Sequence, residues 1–127
     1  MFSRVAIQYP RLAHELGRLE GGDLDQAVQT IVEQALTAAG VEVGARTSTA
    51  VEKLVWSLDD AAWALQERVE RDPGSQGLYL QAFRRARAAN GLLDLLEDRY
   101  DSAVYEAMHA LGASEDAVLQ MLGHAAP

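Results

Sequence analysis

Apolar residues recur at helical spacing through most of this chain, and that periodicity limits the available folds more than any other feature. Val51, Leu54, Val55, Leu58, Ala62, Leu65 and Val69 trace one stripe at i, i+3, i+4, i+7 across a segment without glycine or proline. Stripes of the same period run from Leu24 to Leu36 and from Phe83 to Leu96. No β-branched run alternates far enough to define a sheet. The expected fold is all-α, a single-domain antiparallel helical bundle of about five or six helices over residues 1–127.

Turn residues and caps divide the chain. A helix is expected from Pro10 to Glu20, because the missing proline N–H costs nothing in a first turn. Gly21-Gly22 ends it, and Asp23 with Gln26 forms a capping-box pattern that opens the next helix, which reaches Gly40. Val41 to Arg46 reads as a loop. Thr49 with Glu52 is a second capping box, opening an unbroken helix to Arg71 that Asp72-Pro73-Gly74 terminates. Ser75 caps the following helix. Asn90-Gly91 is a turn dipeptide, yet the apolar register from Phe83 through Leu93 and Leu96 keeps its phase, so one bent helix or two nearly collinear pieces are expected as far as Gly112. Ser114 opens a terminal helix through Leu122. The helix from Thr49 is expected at the centre of the bundle, with Leu54, Leu58, Leu65, Phe83, Leu93 and Leu96 in the core.

The net charge of −8 argues against nucleic acid, whose phosphates need a positive footprint. Arginines nevertheless cluster: Arg68, Arg71, Arg84, Arg85 and Arg87 give the segment 68–87 a local charge of +3 against −11 elsewhere. Arg84, Arg85 and Arg87 are candidates for contact with an acidic partner. The plainer alternative is a solvated face, with Arg68 and Arg71 favouring the negative end of their helix. Cysteine is absent, which removes thiolate catalysis, disulfides and cysteine-ligated zinc, and fits a reducing cytoplasm. The N-terminal apolar run reaches Gln8 and Pro10 too soon for a secretory signal, and no window approaches the ~20 apolar residues of a membrane span.

Trp56 and Trp63 are the sharpest local feature. Seven residues apart, they share one side of their helix, roughly 130° from the centre of the aliphatic stripe. That helix therefore has two apolar sides. Either it is sandwiched between neighbours, or the tryptophans face a partner, most simply a second copy in a twofold homodimer.

Acidic pairs Glu67/Glu70 and Asp98/Asp101 each place two carboxylates on one helix face at i, i+3. Two such faces opposed would suit a magnesium or manganese ion. The competing explanation is solvated faces, Glu67 having Arg71 one turn on. His14, His109 and His124 form no ligand spacing, and no glycine-rich loop follows a strand. The leading expectation is a cytoplasmic, non-catalytic interaction or regulatory module, of adaptor or immunity type, working through protein contacts without a cofactor. The alternative is a metal-dependent nucleotide hydrolase with Glu67, Glu70, Asp98 and Asp101 as ligands, and a third class, a small-molecule binder between bundle helices, leaves no residue spacing to detect.

Overall fold

The computed structural model describes residues 2–41, 48–97, 99–112 and 114–125, with side chains at all of these except 48–51 and 124–125. Seven α-helices are found among them: α1 (Ser3–Gln8), α2 (Pro10–Gly17), α3 (Gly21–Ala38), α4 (Ser48–Arg71), α5 (Gln76–Leu96), α6 (Tyr100–Leu111) and α7 (Glu115–Ala125). A 3₁₀ turn, Pro73–Ser75, joins α4 to α5, and no strand occurs among the described residues.

The core is built around α3. Its entire stripe, Leu24, Ala27, Val28, Ile31, Val32, Ala35 and Leu36, is buried, and it faces α5, α6 and α7. Val5 of α1, Leu12 and Leu16 of α2, Val104 and Met108 of α6 and Val118 of α7 close the same cluster. Full burial of such side chains supplies ~1.5–3 kcal/mol each against conformational entropy.

The long helix α4 is peripheral rather than central. Its main partners are α5 and the 3₁₀ turn, whereas α5 packs on α3, α4 and α6. Only Val55 and Ala62 of the described α4 side chains are buried; Leu54, Leu58 and Leu65 are half-buried. Phe83 and Leu93 are half-buried as well, and Leu96 is exposed. A helix with one neighbour encloses a narrow strip, so the rest of its wide apolar surface stays at the edge.

Asn90-Gly91 is no break. α5 runs through it, and Gly91 lies close against α6: a Cβ there would lie 3.1 Å from the Ala103 carbonyl oxygen. The chain reverses instead after Leu96, where the N–H of Glu97 bonds the Leu93 carbonyl and that of Arg99 the Asp94 carbonyl at 2.8 Å. Asp72 closes the other hairpin, its carboxylate accepting the Gly74 N–H at 3.1 Å and the Ser75 hydroxyl at 3.3 Å. Ser75 thus serves the turn and makes no cap bond to α5.

The remaining ends are mixed. Gly112 ends α6 in the left-handed conformation, φ 62°, and Ser114 Oγ accepts the Ala117 N–H at 3.2 Å. α3 starts at Gly21 without a side-chain cap, so Asp23 does not open it, and α1 is a helix that the apolar pattern does not mark. α4 begins at Ser48, one residue before Thr49; the Thr49 side chain of the expected Thr49/Glu52 cap and the Val41 to Arg46 loop beyond Val41 fall outside the described residues.

Candidate functional site

Buried Ala62 and Ala86 let α4 and α5 approach closely, and the larger residues beside them enclose a groove. From α4 come Asp59, Trp63 and Gln66, and from α5 come Tyr79, Phe83, Arg87 and Asn90, around a space of about 240 Å³. Each set recurs at three- and four-residue steps, which puts it on one side of its helix. The reversal at Asp72-Pro73-Gly74 brings the two sides together. Tyr79 and Phe83 stack at a tilt, with ring centroids 6.1 Å apart.

The groove's charges are unequally satisfied. Arg87 lies over the Phe83 ring, 5.1 Å from its centroid, and its Nη1 donates to Glu106 Oε2 at 2.7 Å. Glu106, only 8% exposed, also has Arg4 at 3.9 Å, and the Arg4 guanidinium covers the Tyr105 ring at 4.0 Å. Burial of a carboxylate is tolerable on these terms because it is paired and hydrogen-bonded. Asp59 has no hydrogen bond or ion pair among the described residues. Burial pushes its carboxyl above the ordinary aspartate range, the neighbouring Asp60 pushes the same way, and the field of Arg87 opposes them.

Both tryptophans are turned outward, Trp56 being 63% and Trp63 67% exposed. The sandwiched alternative for α4 therefore does not describe this chain. The arginine cluster is dispersed: Arg84 is exposed, Arg85 Nε donates to the Ala39 carbonyl at the end of α3 at 2.6 Å, and Arg87 is engaged with Glu106. The structure does not bring the acidic pairs together. Glu67 and Glu70 lie exposed on α4, Asp101 hydrogen-bonds the start of α1, and Asp98 lies outside the described residues. Among the described residues no three histidine or carboxylate side chains converge as a metal site. His14 and His109 are exposed, and the His124 side chain lies outside the described residues.

Sequence reasoning missed Asp59, Tyr79 and Phe83 as parts of one site. Their four-residue ladders, Asp59 to Trp63 and Tyr79 to Phe83 to Arg87, are visible in the chain. Which ladder faces which depends on the register that the Asp72 turn imposes.

No protein-family model, no characterised protein and no solved structure matches this chain. Among the described residues no helix is long and apolar enough to cross a membrane.

Proposed function

We propose that this protein is a non-catalytic helical interaction module, working in the cytoplasm, whose outer α4 surface around Trp56 and Trp63 binds protein. The observation that carries this is the exposure of both tryptophans on α4. A tryptophan offers on the order of 200 Å², so the pair forms a patch of the size that marks contact sites on soluble proteins. Leu80, one turn before Phe83 on α5, is exposed too.

A second copy of the chain is the occupant that this surface suits best. A twofold axis covers both copies of the patch at once. Four tryptophans contribute roughly 800 Å², below the ~1,200–2,000 Å² of a stable interface, so neighbouring α4 and α5 residues complete it. Of Arg84, Arg85 and Arg87, Arg84 is the exposed one and the one suited to an acidic contact at its rim. The absence of cysteine fits a reducing compartment. Light scattering tests the reading: Trp56→Glu with Trp63→Glu is expected to convert a dimer into a folded monomer, and a wild type that is monomeric at high concentration removes the homodimer.

A further inference from the structure

The geometry points to the α4–α5 groove as a binding site for a small organic ammonium ion, held on the faces of Trp63 and Tyr79 with the Asp59 carboxylate as its counter-charge. Three aromatic residues, Trp63, Tyr79 and Phe83, line this one groove. Ring faces carry negative quadrupole potential and attract cations, most strongly in the case of tryptophan. The fold already uses that attraction here, since Arg87 sits on Phe83.

Charge selects the ligand's sign. Arg87 is neutralised by Glu106 at 2.7 Å, and Arg4, the other cation on Glu106, has Asp94 within range of its field. Asp59 has no hydrogen bond or ion pair among the described residues; only the field of Arg87 across the groove favours its charge, and Asp60 next to it disfavours it. An anion entering the groove meets the Asp59 carboxylate and an arginine that is already paired. A neutral apolar molecule leaves the Asp59 carboxylate desolvated without compensation. A cation with an apolar surround satisfies the carboxylate and the rings together. The volume of about 240 Å³ falls below the ~300–1,000 Å³ of sites for drug-sized molecules, so the ligand is a single head group rather than an extended molecule.

Trp63 is shared with the contact surface proposed above, whereas Asp59 belongs to the groove and not to that surface. Choline is a suitable probe, with its uncharged carbon isostere and benzoate as controls, titrated calorimetrically into the full chain. Saturable choline binding is expected, at least tenfold tighter than the isostere, and benzoate is expected not to bind. Asp59→Asn and Trp63→Leu are each expected to weaken choline about tenfold or more, with helix content unchanged. Equal affinity for choline and isostere overturns the proposal, as does undiminished binding to Asp59→Asn, a preference for benzoate, or no binding at tens of millimolar choline. Mass measured on the Asp59→Asn samples keeps the two proposals apart: that variant is expected to lose choline binding and leave self-association as it was.

Discussion

The Asp101 side chain on α6 caps the backbone of Val5 on α1: Oδ1 accepts the Val5 N–H at 3.1 Å, and Oδ2 accepts the neighbouring Arg4 N–H at the same distance. A six-residue helix without a side-chain cap of its own is marginal in water, so α1 depends on this distant carboxylate and on burial of Phe2 and Val5. The same device recurs at α2, where Glu115 of α7 accepts the Leu12 N–H at 3.0 Å. Asp101→Ala is expected to cost ~0.5–2 kcal/mol and to accelerate amide exchange selectively in α1. Unchanged exchange there contradicts the capping role.

The placement of the core around α3 is testable by contrast. Leu36 is fully enclosed and Leu96, on an equally regular stripe, is 37% exposed. Leu36→Ala is expected to cost ~2–5 kcal/mol, and Leu96→Ala at most about 0.5 kcal/mol, in denaturant titration. Similar losses at both positions mean that α5's end is more enclosed than described.

Gly91 holds α5 against α6. Gly91→Val brings a branched side chain against the Ala103 carbonyl and the Ala107 methyl, so overpacking of ~1–3 kcal/mol is expected. Were Asn90-Gly91 a turn with Gly91 left-handed, Gly91→Ala would be strained. In a continuous helix Gly91→Ala gains propensity, and that gain is offset by the 3.1 Å contact. A valine variant as stable as the wild type contradicts the close approach.

Asp59 supplies a pH dependence. Its folded-state pKa is raised, by burial first and by Asp60 next, so protonation favours the fold. That contribution is present below the ordinary aspartate pKa and is lost as pH rises through the raised value. Asp59→Asn is therefore expected to equal or exceed the wild type in stability at neutral pH. The advantage shrinks as the solution is acidified through the carboxylate range. A variant that is less stable at neutral pH, with its deficit vanishing in acid, reverses the sign and contradicts this account.

The stripes of α3 and α4 show what was legible in the chain and what was not. Both are equally regular, and both predicted a helix correctly, yet one is wholly buried and the other half-exposed. Period identifies which side of a helix is apolar; the number of neighbours that cover it is set by the whole topology. The reversal between Leu96 and Tyr100 contains no glycine or proline, so it left no punctuation to read, whereas Asp72-Pro73-Gly74 did. The spacing of Asp101 from Asp98 suggests a paired carboxylate, but its actual partner, the start of α1, is 96 residues away and has no local signature. The outward side of Trp56 and Trp63 followed from helical geometry once α4 was found at the edge.

The chain's two tryptophans both lie on the proposed contact surface, so their emission, followed with molecular mass across a wide concentration range, tests the central claim most directly. The expected result is a blue shift that tracks conversion of monomer to dimer at one midpoint, as water leaves the indole rings. A mass that stays monomeric throughout, or a dimer that forms while the emission keeps its exposed, red-shifted position, contradicts the assignment of this face.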